Sequence, residues 1–186
     1  MHMKKPVASL ILILAASCCL RDVAVFHDSD PAFQYGLYST YRWEPVDPVE
    51  RSRNPLYYNE LNDERITTAA NEVLAKKGYL PDSVSPDLTI HYHIVVNDKT
   101  IFLPHELPAR ARNAETGGST YEYLEGTLKL DFMDAHTEKL MWRGWAVGEL
   151  ENIGNSDDLT NLFRSLVENI LVAFPSLATK ENAEVK

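Results

Sequence analysis

The chain has 186 residues, a formal net charge of −9 and only two cysteines, Cys18 and Cys19, side by side. Such acidity argues against a nucleic-acid partner, because neutralising phosphates takes clustered Lys and Arg, and equally against docking by charge on anionic lipid heads. Adjacent Cα atoms lie about 3.8 Å apart, too close for the roughly 4.4–6.8 Å of a relaxed disulfide, and no other cysteine is present to build a thiolate metal site.

Residues 1–17 read as a signal peptide: Lys4 and Lys5 make a positive start and Val7 to Ser17 an unbroken apolar and small-residue run. Eleven helical residues reach only about 16 Å, half of a roughly 30 Å hydrocarbon core, which excludes a spanning helix here. The stretch Ala15-Ala16-Ser17-Cys18 resembles the lipobox of bacterial lipoproteins. That resemblance implies lipidation of Cys18, with residues 18–22 as tether. Several acyl chains hold a protein firmly to a bilayer where one binds only marginally. The resemblance also implies that Cys19, standing where Asp would retain the protein at the inner membrane, directs it to the outer membrane, facing the periplasm.

Residues 23–175 are expected to form one domain. Alternation around Val23 and Val25 predicts a short strand, broken by the turn formers Asp28-Ser29-Asp30-Pro31. A second strand falls at "LYSTYRWEP", and residues 45–58 read as a loop bounded by Pro45 and Pro48. From about Glu60 to Lys77, Ile66, Ala69, Ala70, Val73 and Leu74 recur at helical spacing, with Gly78 as the stop. "PDLTIHYHIVV" is a strand that sends Leu88, Ile90, Tyr92, Ile94 and Val96 one way and Thr89, His91, His93 and Val95 the other. Residues 97–121 hold two prolines and a Gly-Gly pair without a sustained period, and read as a long loop or floppy hairpin extension. "YLEGTLKLDFMD" and "KLMWRGWAVGEL" form a hairpin whose Gly144 and Gly148 leave room for a close approach on the packed face. Ser156 starts a second helix with Leu159, Phe163, Leu166, Val167 and Ile170 inward, ended by Pro175, and residues 176–186 read as a disordered tail. The expectation is an α+β fold, a two-layer sandwich of one mostly antiparallel sheet of about five strands with two helices packed on one face.

Phe33, Thr40-Tyr41-Arg42-Trp43, Lys77-Gly78-Tyr79, Pro86-Asp87-Leu88, Gly126-Thr127-Leu128 with Asp131 and Asp134, Met141-Trp142-Arg143-Gly144 and Phe174-Pro175 occur in an order and spacing that resemble the bacterial lipoprotein family called domain of unknown function 4136. The resemblance implies an envelope lipoprotein with a small α/β domain and no established activity, so it assigns no catalytic residue.

His91 and His93, two apart on one strand, face the same side and could share a metal, with a third ligand from His105, Glu106 or His136. The competing reading places both on a solvated sheet face beside Thr89. Asp131 and Asp134, three apart, fall on opposite faces of a strand, which disfavours a paired-carboxylate site and gives Asp134 to the hairpin turn. Trp142 points inward with Leu140, whereas Arg143 and Trp145 lie on the opposite, mixed face and are candidates for binding a partner. No nucleophile, phosphate-loop, dinucleotide or zinc-protease motif is present, and no cofactor is implied. The expected function is a non-enzymatic binding or assembly module, attached to the membrane through lipid at Cys18 and meeting another envelope protein. The alternative is a metal-dependent enzyme or metal carrier at His91 and His93.

Overall fold

A computed structural model describes residues 23–104, 118–150 and 156–177. The expected signal segment, Cys18 and the expected tether, His105 and Glu106, and residues 178–186 of the expected tail lie outside the described residues. Six strands form one sheet in the order β1-β6-β5-β4-β2-β3: β1 Ala24–Ser29, β2 Thr40–Trp43, β3 Leu80–Pro81, β4 Leu88–Pro104, β5 Gly118–Asp134 and β6 Leu140–Leu150. Among the described residues three α-helices accompany it, α1 Pro48–Arg53, α2 Glu60–Lys76 and α3 Ser156–Leu171.

The fold remains α+β, but the expected five-stranded, mostly antiparallel sheet with two helices is corrected to a six-stranded mixed sheet with three helices. β1, β6, β5 and β4 run antiparallel in turn, while β4 pairs with β2, and β2 with β3, in parallel. The chain leaves β2, forms α1 and α2, and returns to β4 in the same direction, which a parallel neighbour requires. β3 has only two residues, too few to show alternation. α1 was hidden by Pro48, which begins the helix instead of breaking it, with the Asp47 carboxylate accepting the Val49 N–H at 2.6 Å.

Of the two readings of residues 97–121, a long loop or a hairpin extension, the described residues form the second. Residues 97–104 continue β4 and 118–121 begin β5, paired from Asn97 with Glu125 out to Pro104 with Gly118. Among the described residues β6 reaches Leu150, opposite Leu124, so that there the ladder from Lys99 and Tyr123 outward is a two-stranded arm. Six residue pairs at about 3.3 Å each make it roughly 20 Å long.

One face of the sheet carries the core. Leu88, Ile90, Tyr92, Leu130, Phe132 and Trp142 are buried against Ile66, Ala70 and Leu74 of α2 and Phe163, Val167 and Ile170 of α3. Gly144 lets α3 close on the sheet, since a Cβ there would meet Ile170 Cγ2 at 2.7 Å. At Gly148 the neighbour is Val23 instead of a helix. α2 ends as expected, with Gly78 at φ 92°, whereas α3 stops at Leu171, before Pro175.

Candidate binding face

The opposite face of the sheet is ordered into rows by strand register. One row runs Asp28 on β1, Arg143 on β6, Asp131 on β5 and His91 on β4; the next runs Phe26, Trp145, Lys129 and His93. Side chains directly opposite on one face are close enough to interact, so four residues singled out from sequence, His91, His93, Arg143 and Trp145, share one surface.

Asp131 is its hub. It is 5% exposed and takes a bidentate pair from Arg143, Nε to Oδ1 at 2.6 Å and Nη2 to Oδ2 at 2.7 Å. Lys129 Nζ and His93 Nε2 each lie 3.4 Å from Oδ2. Burial alone would raise the Asp131 carboxyl, but the contacts from His93 and Arg143 and the charge of Lys129 outweigh it and hold the group well below the ordinary range.

His93 bridges two carboxylates. Its Nδ1 sits 2.9 and 3.0 Å from the Glu50 oxygens on α1. Asp131 is the strongest influence and, with Glu50, raises the imidazole above its usual value against burial and Lys129. His91 goes the other way: burial lowers it, opposed by Glu44. Two histidines two residues apart thus divide into one favoured as imidazolium and one favoured neutral.

The same cluster fastens the strand edge left open where β2 ends. Tyr58 accepts the Ile94 N–H at 2.6 Å and donates to Glu50 at 3.1 Å. With Glu50 bound to His93, the segment containing α1 is thereby strapped to β4. Between strap and strand lies an open cleft of about 420 Å³ bordered by Glu44, Asp47, Glu50, His91 and His93. Both ring nitrogens of His93 already face carboxylates, and among the described residues no three His, Cys, Asp or Glu side chains are arranged to hold a metal ion.

Beside the charges lies an apolar strip. The rings of Phe26 and Trp145 stack with centroids 5.4 Å apart and planes at 22°, and Phe26 is 47% exposed. Val95, also exposed, stands in the following row with Thr127 and Val147. Trp142, by contrast, is core, packed edge-on against Phe132 and Phe174. Asp134 belongs to the turn, its Oδ1 accepting the N–H groups of His136 and Thr137 at 2.9 and 2.8 Å. On the inner face, a cavity of about 60 Å³ between α3 and the sheet is too small for an ordinary organic ligand.

Sequence reasoning missed Glu50. It lies 43 residues from His93 in a stretch read as loop, and no periodicity links the two.

The family model described as "Domain of unknown function (DUF4136)" matches residues 25–176. Among proteins of curated function none matches the chain. Solved structures give distant likenesses. One is a PDZ domain protein from Parabacteroides distasonis, at 14% identity and TM-score 0.51, with 81% of this chain and 35% of that chain covered. This chain therefore spans about a third of that protein. PelC dodecamers from Paraburkholderia phytofirmans match at 10% and 12% identity with TM-scores of 0.41 and 0.45, each over 81% of this chain and 95% of theirs.

Proposed function

This chain belongs to the DUF4136 family, and on that premise we propose that it is a non-enzymatic, lipid-anchored envelope protein whose domain binds another envelope component through the outer sheet face. The observation that carries the binding role is the half-exposed Phe26–Trp145 stack set beside the row Asp28, Arg143, Asp131 and His91. Rigid aromatic rings give contact area at little cost in side-chain freedom, and a fixed order of charges selects partners more than it adds affinity. The anchoring role is supported by Lys4 and Lys5, the apolar run and Ala15-Ala16-Ser17-Cys18. Among the described residues no helix is long and apolar enough to cross a membrane.

The test is crosslinking in intact cells with a photoreactive residue at Val95, followed by identification of the captured envelope component. Trp145→Ala is expected to cut the yield at least tenfold while leaving the amount of protein unchanged. An unchanged yield removes the outer face as the binding surface. Arg143→Ala is a poorer variant, because it leaves the buried Asp131 carboxylate short of its main partner.

A further inference from the structure

β1 is the outermost strand of the sheet, and its free edge has a readable polarity. Asp30 donates its N–H to Met141 O across the β1–β6 ladder at 2.9 Å. In an antiparallel pair alternate residues point their backbone groups to the same side. Asp28, Phe26 and Ala24 therefore face β6, whereas Val25, His27 and Ser29 face outward. The Ser29 N–H is taken by the Asp28 carboxylate at 2.8 Å, which leaves the N–H and C=O groups of Val25 and His27. Among the described residues no strand pairs with this edge. β1 also lacks the lysine, proline or bulge by which natural edge strands resist pairing.

The rows of the outer face end abruptly at this edge. The charge row alternates inward from β1 as acid, base, acid, and its last member is Asp28, an exposed carboxylate flanked on its inner side by Arg143, whose guanidinium is paired with Asp131, and with no strand beside it on its outer side among the described residues. The aromatic row ends at Phe26, one ring of whose stack faces solvent. A strand added beside β1 continues both rows when it carries a cation opposite Asp28 and, two residues away on the same face, an aromatic or aliphatic side chain opposite Phe26.

We infer that the edge of β1 takes up an extended peptide segment of a partner protein by strand addition, selecting a basic residue and an apolar one spaced two apart. Main-chain hydrogen bonds to Val25 and His27 supply the general affinity of this recognition mode, and the alternate side chains supply the choice. A second copy of this chain does not meet the pattern. β1 paired antiparallel with itself sets Asp28 against either Asp28 or an apolar neighbour, and the whole chain carries −9, which attracts basic segments and repels its own kind. The inference rests on the binding-module reading and specifies its ligand.

The probe is a fluorescein-labelled, end-blocked hexapeptide with arginine second, phenylalanine fourth, valine sixth and threonine elsewhere, followed by anisotropy at low salt. Saturable binding is expected. An isomer with arginine and phenylalanine adjacent, hence on opposite faces, should bind at least tenfold more weakly. Val25→Pro removes an outward donor without touching the ladder to β6 and should weaken binding at least tenfold. Asp28→Lys, a change at an exposed carboxylate that keeps the test informative even if Val25→Pro unfolds the sheet, should lose the arginine peptide and gain one with glutamate in its place. Absence of saturable binding, equal binding of the isomer, or indifference to Asp28→Lys overturns the inference. Loss of cellular crosslinks in Trp145→Ala alongside any of these results leaves the outer face as binding surface and removes only its edge.

Discussion

His93 works as a cross-brace whose charge state sets its strength. As an imidazolium it donates to Glu50 on one side and faces Asp131 on the other; as a neutral ring it can donate to only one of them. Its value is raised on folding, so its stabilisation is fully present below the ordinary histidine value of about 6.5 and is lost as pH rises through the raised native value. Asp131 behaves oppositely: its value is depressed, so its contribution holds above about pH 4 and fades as pH falls toward the native value. Urea unfolding of the wild type and His93→Gln should therefore differ by about 1 kcal/mol near pH 5.5 and converge by pH 9. A difference that does not change with pH would show that His93 packs without bracing. The residues that carry the family resemblance lie mostly elsewhere and hold the fold together. Asp87 accepts the backbone N–H groups of Ser39 and Thr40 at 2.8 and 2.9 Å, and Thr40 Oγ1 accepts the Asp87 N–H at 3.0 Å, which joins the start of β2 to β4. Tyr41 and Trp43 both donate to Asn71 Oδ1 on α2 at 2.9 Å. Asp131, Arg143, Thr127 and Arg42 are among those that belong to the outer face.

Elements whose two faces differ were legible in the sequence, and those whose faces are alike were not. β5, β6 and the first half of β4 alternate because one side meets α2 and α3, and the two long helices show an apolar stripe for the same reason. Past Val96 the residues of β4 are exposed on both sides, and from Lys99 outward no described strand pairs with β5 on its far side, so Asn97-Asp98-Lys99-Thr100 has nothing to alternate against. Isolated two-stranded ribbons are marginal in water. This one is reinforced by the Lys99–Glu125 ion pair at 3.2 Å and by the Phe102 ring lying over Gly118. The candidate site divides in the same way. Strand periodicity placed His91 and His93 on one face and Arg143 with Trp145 on one face, but that these are the same face depends on register between strands. Gly144 is the element-scale feature with the clearest consequence. A methyl group there would lie 2.3 Å from the Trp142 ring and 2.7 Å from Ile170, so α3 must lift or the indole must turn. Gly144→Ala should cost about 1–3 kcal/mol in urea unfolding with little change in far-ultraviolet dichroism; an unchanged midpoint would mean that α3 is not seated as described.

At the scale of the molecule, the proposed anchor and the proposed binding edge are neighbours in the chain. Five residues separate Cys18 from Ala24, and a fully extended segment of that length reaches at most about 20 Å. A lipid at Cys18 therefore keeps the Ala24 end of β1 within that distance of the bilayer, and a partner reaching that end of the edge has to approach close to the membrane surface. Cys18→Ser is expected to move the protein from the membrane to the soluble fraction of lysed cells, and globomycin, which blocks lipoprotein signal cleavage, to make the unprocessed form accumulate. If neither happens, the anchor assignment falls while the outer face and its register stand.

β1 also has an unusual place in time. Its partners run from Trp142 to Val147, so the ladder closes a loop of more than a hundred residues, whereas the β4–β5–β6 meander forms from segments close together in the chain. Closing so long a loop is entropically the latest step to be repaid. A chain delivered from its amino end would present β1 first and seat it last, so the strand nearest the tether spends the assembly of the molecule waiting for its place.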